Sequence, residues 1–215
     1  MGSEMCIRDS YGSTWNQVGN DIDGEAAGDG SGYSVSIDSD GSHVAIGAWK
    51  NDGNGNKSGH VRIYSWNGSV WTQVGGDIDG EASQDFFGAG LSINSDGSRV
   101  AIGAFYNDGT GSNAGHVRVY EYVGSNWIQL GSDIDAEATG DKLGHRGAVS
   151  IDSDGSHVAL GARSNDGNGS EAGHVRVYEY VGTNWTQVGS DIDGEAVGAV
   201  SYTHLTLPTM FEVEI

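Results

Sequence analysis

Apolar and polar residues alternate with a period of two through short stretches of this chain and never hold a helical period for more than a turn. In His60–Tyr64 (HVRIY), Val61 and Ile63 share one face while His60, Arg62 and Tyr64 share the other, as a β-strand requires. Ser34–Asp38 (SVSID) and His43–Ala48 (HVAIGA) are β-branched runs separated by Ser39, Asp40, Gly41 and Ser42. Asp and Gly there supply turn chemistry, so the pair is predicted to be a hairpin. Trp15–Gly19 (WNQVG) and its copies predict a fourth strand, and 37 glycines punctuate the whole.

The four pieces recur together. Trp15, Trp71, Trp127 and Trp185 mark the copies at intervals of 56, 56 and 58 residues, the two extra residues falling around Gly144–Gly147 (GHRG). Four short antiparallel strands in a unit of this length is the signature of a propeller blade. The expected fold is therefore all-β: an incomplete β-propeller arc of about three four-stranded antiparallel blades, near 33–78, 89–134 and 147–192, plus one extra outer strand at 14–22. A propeller closes with roughly four to eight blades, so the arc is expected to belong to a larger ring.

The two ends do not share the repeat. They hold the only cysteine, Cys6, and the only proline, Pro208. Met5–Ser10 can be encoded ATG TGT ATA AGA GAC AG, and its reverse complement, read from the third base, encodes Val200–His204 (VSYTH). One duplex, the transposon end used in sequencing-library preparation, thus accounts for both. Residues 1–10 are read as adaptor-derived and 200–215 as an adaptor-derived or doubtful tail, and both are set aside from fold reasoning. Residues 11–199 remain as the propeller repeats, and a secretion signal would be expected upstream of them.

Composition then narrows the partners. The formal net charge is −20; removing the ends, which carry Arg8 against Glu4, Asp9, Glu212 and Glu214, leaves −17. Such a field repels nucleic acid and anionic surfaces and draws cations. Neither a nucleic-acid partner nor membrane insertion is expected, since no apolar run reaches the length of a span.

The repeats resemble the FG-GAP family, the blade type of the integrin α-subunit propeller and of many bacterial surface proteins. Phe87-Gly88 supplies the "FG", and Gly47-Ala48, Gly103-Ala104 and Gly161-Ala162 the "GA". Trp49, Phe105 and Arg163 stand where the family has proline, and the "FG" becomes Ser31-Gly32 in the first unit and Leu143-Gly144 in the third. The family's calcium loop between the first two strands is shortened to IDSDGSHVAIG and lacks its final acid, so calcium is not expected there.

Another acidic set is the candidate cation site. Alternate inter-strand connections of a blade lie on one face of the ring, which here receives the DIDGEA linkers and the NDGNG loops. Asp21, Asp23, Glu25 and Asp29, then Asp77, Asp79, Glu81 and Asp85, then Asp133, Asp135, Glu137 and Asp141 place carboxylates at relative positions 1, 3, 5 and 9. Calcium takes several oxygen ligands from one flexible loop. Against it, Ala26, Ala82 and Ala138 fill the position where calcium loops turn on glycine; the alternative is acids capping turns on a solvated face. The His60/Arg62, His116/Arg118 and His174/Arg176 pairs recur at one strand position, which favours packing and pairing with acids. Trp49, Phe105 and Arg163 break the repeat at equivalent positions. Variable aromatics and arginine are what interfaces use, and half-buried spacers between blades are the other reading.

These observations predict no enzyme but a binding or adhesion module, bacterial, extracellular or on the cell surface. It would present acidic loops to a protein or carbohydrate, with calcium as the candidate cofactor. The alternatives are part of a propeller enzyme with a central-axis site, of polysaccharide lyase or quinone-dependent dehydrogenase type, and a structural spacer.

Overall fold

A computed structural model describes residues 15–197. The adaptor-like ends, 1–10 and 200–215, lie outside the described residues, as does residue 14 of the leading segment. The first unit forms β1 (Ser31–Ile37), β2 (His43–Ala48), β3 (His60–Trp66), β4 (Trp71–Gln73) and β5 (Ile78–Asp79). The second forms β6 (Gly90–Ile93), β7 (Arg99–Ala104), β8 (His116–Val123), β9 (Asn126–Gln129) and β10 (Ile134–Asp135). The third forms β11 (Val149–Ile151), β12 (His157–Ala162), β13 (His174–Val181), β14 (Asn184–Gln187) and β15 (Ile192–Asp193).

Each unit is one antiparallel sheet whose strands follow chain order, as in β1-β2-β3-β4. The predicted fourth strand is split. In the first sheet, β4 pairs with the far half of β3 (Tyr64↔Gln73) and β5 with its near half (Val61↔Ile78), with Gly75 at φ +73° in the break. Glycine adopts that left-handed conformation without a Cβ penalty, so the outer strand kinks yet stays in the blade.

The blades stand side by side through their first strands. Ser36 Oγ accepts the Ile93 amide at 3.1 Å, and Ser92 Oγ that of Ile151 at 3.2 Å, placing β1 beside β6 and β6 beside β11 as propeller inner strands lie. Two hydrophobic cores fill the interfaces. Val61, Ile63, Phe87, Val100 and Ile102 pack between the first two blades, and Val117, Val119, Leu143, Val158 and Leu160 between the second and third.

The GA and FG motifs meet across these interfaces, which explains their composition. A Cβ added to Gly47 would sit 2.1 Å from the Gly88 carbonyl oxygen, and one on Gly103 would sit 2.1 Å from that of Gly144. Only backbone without a side chain lets the blades close to that distance.

The repeated tryptophans clasp neighbouring blades. Trp127 donates its indole N–H to the Val74 carbonyl (2.8 Å), Trp185 to Leu130 (2.8 Å), and Trp71 to Val18 (3.0 Å). Trp15 is fully exposed. Residues 15–24, the expected extra outer strand, form no β-ladder among the described residues. They still lie against the first blade where an outer strand would, through Val18 and through Asp23, whose carbonyl accepts from Arg62 at 2.8 Å.

The end faces show what blade stacking buries. Val35 and Ile37 are exposed, whereas their counterparts Leu91, Ile93, Val149 and Ile151 are buried. Ile192 is exposed while Ile78 and Ile134 are buried. The same sequence pattern changes environment only because a neighbouring blade is or is not beside it.

Candidate functional site

The acids of each linker do not gather around one point; they are shared out among three kinds of partner. At the first position, Asp21, Asp77, Asp133 and Asp191 each accept from a glutamine four residues earlier, at 2.6–2.7 Å. At the ninth, Asp29, Asp85 and Asp141 are buried and accept from Asn51, Asn107 and Asn165 of the following NDG loop at 2.9, 2.9 and 3.1 Å. At the third, burial and the neighbouring Asp77 and Asp133 charges raise the carboxyl pKa values of Asp79 and Asp135. Burial, ahead of the Asn107 bond, likewise raises that of Asp85.

At the fifth position, the glutamate crosses to the next blade. Glu81 pairs with Arg118, which also holds Asp133 through two bonds of 2.9 and 2.7 Å. His116 is 1% exposed and turns Nδ1 towards both carboxylates, 3.8 Å from Glu81 and 3.6 Å from Asp133. Glu137, Arg176, Asp191 and His174 repeat the set, as do Glu25, Arg62, Asp77 and His60 in a looser form.

Burial pushes His116 down to about 4, with the Arg118 charge acting the same way, so its ring is neutral near pH 7. Burial alone would raise Asp133, but the bonds from Arg118 and Gln129 outweigh it and hold the carboxyl below its ordinary value. Burial opposes the Arg118 charge too, and bonds to Asp133 and Glu81 reverse that, raising its pKa.

These clusters are the one arrangement among the described residues with metal-ligand character. In each, Glu, His and Asp offer donor atoms within 4.8 Å of one another: Glu25, His60 and Asp77; Glu81, His116 and Asp133; Glu137, His174 and Asp191. The arginine already brings positive charge to the carboxylates. A divalent cation in the same place would face a guanidinium, so the geometry suits an inter-blade ion cluster better than a metal centre.

The hairpins hold a different grouping of chemical interest. Ser156 and Asp152 both engage His157 Nδ1, at 2.8 and 3.0 Å, and Ser42, Asp38 and His43 repeat this at 3.0 and 2.8 Å. A Ser-His-Asp relay needs serine on one ring nitrogen and carboxylate on the other. With both on Nδ1, no proton can pass through the ring, and the trio ties down a turn.

What remains is the place where the repeat breaks. Trp49 and Phe105, after β2 and β7, join a continuous aromatic run: Tyr33 stacks on Trp49 (centroids 4.7 Å), Trp49 meets Phe86 (5.0 Å), and Phe86 meets Phe105 (5.6 Å). His145, from the two-residue insertion, abuts Phe105 edge-on (4.6 Å). Its neighbour Arg146 lies over the Tyr33 ring at 4.9 Å and so closes the circuit from third blade to first. Lys50 lies over Trp49 at 4.5 Å. Arg163 belongs here electrostatically: after burial, its charge is the largest influence holding His145 down at about 4, with Lys142 and Arg146 adding to it.

The structure thus brings Trp49 and Phe105 together in a small core with Phe86 and Ala89, Phe105 buried and Trp49 half-buried as blade spacers are. Arg163 is linked to them through its charge on His145, and Tyr33, Phe86 and Arg146, which sequence reasoning did not single out as partner-binding, join the group. Phe86 had a sequence signal. It aligns with Gly30 and Lys142, and all three adopt positive φ, 67°, 56° and 57° in chain order. A phenylalanine there is strained by about 1 kcal/mol or more, a departure visible as an aromatic at a glycine position.

Fold and site together define a β-propeller arc with a threefold-repeated ionic frame and one asymmetric aromatic patch. Residues 22–64 match the FG-GAP repeat family model, and the second and third units carry the same motifs. No curated protein matches the chain. Among solved structures, it is similar to a candidate 6-phosphogluconolactonase from Bacteroides fragilis, with TM-score 0.48 and 11% identity over 77% of this chain and 39% of that one. A second, from Bacteroides uniformis, gives 0.48 and 10% over 75% and 40%. The tricorn protease gives 0.39 and 12% over 68% and 13%. The chain spans about two fifths or less of these proteins' lengths, and at such scores the likenesses carry no argument about function.

Among the described residues, no helix is long and apolar enough to cross a membrane.

Proposed function

We propose that this chain is part of a non-catalytic binding or adhesion propeller, extracellular or on the cell surface, that engages a protein or carbohydrate partner through its linker-and-loop face. One observation carries the reading. Carboxylate and guanidinium groups recur in every blade and pair with one another beside a buried imidazole, whereas the aromatic patch occurs once. A repeated position serves every interface equally and is explained by packing; positions that depart from the repeat and reach solvent, here Arg146 exposed with Tyr33, Trp49 and Arg163 half-buried over the buried Phe86 and Phe105, are free to be selected for a ligand.

The test is retention of the chain on immobilised candidate glycans and matrix proteins, comparing wild type with Trp49→Ala combined with Arg163→Ala. Loss of retention by a variant that still melts cooperatively supports the reading. Equal retention, or loss produced instead by Trp185→Ala at the blade clasp, overturns it. Calcium, the candidate cofactor, would enter through the linker acids, and a calcium titration followed by thermal melting decides whether it assists: a saturable shift keeps that role, and none removes it.

A further inference from the structure

The positive charges of this acidic chain are distributed in an unexpected way. Among the nine lysines and arginines in the described residues, Arg62, Arg99, Arg118 and Arg176 have carboxylate partners. None of the other five, Lys50, Lys57, Lys142, Arg146 and Arg163, makes an ion pair with a described residue. Two of those five, Lys50 and Arg146, lie over the rings of the aromatic patch, and the charges of Lys142 and Arg163, with that of Arg146, act on His145 at its edge. In a chain of net charge −20, chance would have placed acids beside them.

The nearest acids are turned away. Asp29, Asp85 and Asp141 precede the patch in their linkers, but their side chains are buried against Asn51, Asn107 and Asn165. Arg163 Nε is buried and has no hydrogen-bond partner, as is also true of Asp38 Oδ1 and of the repeated His60, His116 and His174 Nε2 atoms; of these, Arg163 Nε alone is a cation's donor. Arg146 and Lys50 lie over the rings of Tyr33 and Trp49 in cation–π contact, so these two cations are positioned in advance. Positioned cations, an unused donor and no carboxylate together match an oxyanion.

We propose that this patch is an anion-binding site for a compact ligand carrying two or more carboxylate, sulfate or phosphate groups. It rests on the reading that this face is the binding face, and names the chemistry of what binds there. The ligand is compact because an extended polyanion would run from the patch onto the acidic linkers and be repelled. His145 is neutral in the free protein and gains a proton more readily once an anion offsets the charges of Arg163, Lys142 and Arg146, the cations that face it; Phe105 on its other side does not titrate.

The test is calorimetric titration of the full chain at low salt with citrate and with pyrophosphate, which separate carboxylate from phosphate preference. The wild type, Arg146→Ala, Arg163→Ala and Lys57→Ala are compared. The expected result is saturable binding with one site per chain, weakened about tenfold or more by either arginine variant, the effect of one lost charge-assisted bond, and unchanged by Lys57→Ala. Arg146 is exposed, so its variant keeps the fold and the outcome remains interpretable. No saturable binding of either anion overturns the proposal. So does equal weakening by Lys57→Ala, which would mark diffuse attraction, or binding confined to a sulfated polysaccharide or single-stranded DNA. If both anions fail while Trp49→Ala with Arg163→Ala still abolishes partner retention, the anion chemistry falls and the binding face stands.

Discussion

Around Arg118, a guanidinium joins two carboxylates beside a buried imidazole, and related sets recur at Arg62 and Arg176. Around the run of Tyr33, Trp49, Phe86 and Phe105, two cations, Lys50 and Arg146, lie over rings and two more, Lys142 and Arg163, act on His145, none of them with a carboxylate partner among the described residues, and the arrangement occurs once. Both are built from the same connections of the same blades. The contrast separates residues that hold blades together from residues left over for something else, and it does so by symmetry rather than by residue type: arginine, histidine and tryptophan appear on both sides.

The frame is where the largest effects are expected. Gly103→Val would drive a branched side chain into the Gly144 carbonyl, and overpacking against backbone should cost about 3 kcal/mol or more. Urea denaturation would show this as loss of the cooperative transition. If Gly103→Val were tolerated, the blades would not be packed as closely as the GA and FG motifs imply.

Acid should weaken the frame by a comparable amount. His116 titrates near 4 when folded and near 6.5 when unfolded, so protons favour the unfolded chain. Its contribution is intact above about pH 6.5 and is lost progressively as pH falls towards 4, reaching about 3 kcal/mol. Asp133 and Glu81, held below their ordinary values, lose theirs only at lower pH. Stability measured across pH 7 to 4 should therefore fall in wild type and be flatter in His116→Gln. Equal slopes would place the acid sensitivity elsewhere.

Arg118→Met is expected to cost about 2 kcal/mol, less than the full loss of a buried pair because Glu81 and Asp133 keep some access to water. In the patch, Arg146→Ala should change stability by no more than about 0.5 kcal/mol while weakening the anion. That split between stability and binding is the sharpest form of the contrast. A large stability loss at Arg146 would turn the patch into another piece of frame.

Much of the frame is legible along the chain. The strand alternation of HVRIY, the Asp-Gly turns and the 56-residue spacing are local signals, and they specify the blades. Which carboxylate serves which arginine is not local. Glu81 answers to Arg118, 37 residues on, because stacking brings one linker over the next blade, and spacing within DIDGEA carries no trace of that. The split of the outer strand at Gly75 likewise depends on Trp127 of the next blade, whose ring occupies the space a Cβ would need.

The patch was half visible. Trp49, Phe105 and Arg163 stand out because they depart from one another at an equivalent position. Tyr33 and Arg146 could not be joined to them from sequence, being 113 residues apart and brought together only when three inner strands line up. Phe86 was concealed beside Phe87 of the FG motif, although the two serve different cores: Phe87 fills the interface between the first two blades, and Phe86 packs with Ala89 and Phe105 under Tyr33 and Trp49.

The central claim is that ligand recognition belongs to the asymmetric patch and not to the repeated frame. An amide and side-chain NMR titration of the full chain with citrate tests it most directly. The account predicts shifts confined to one locus, Trp49, Lys50, Phe105, His145, Arg146 and Arg163, with His145 moving its titration above about 4. Three equivalent sets of shifts, at Arg62, Arg118 and Arg176 with their histidines, would contradict it.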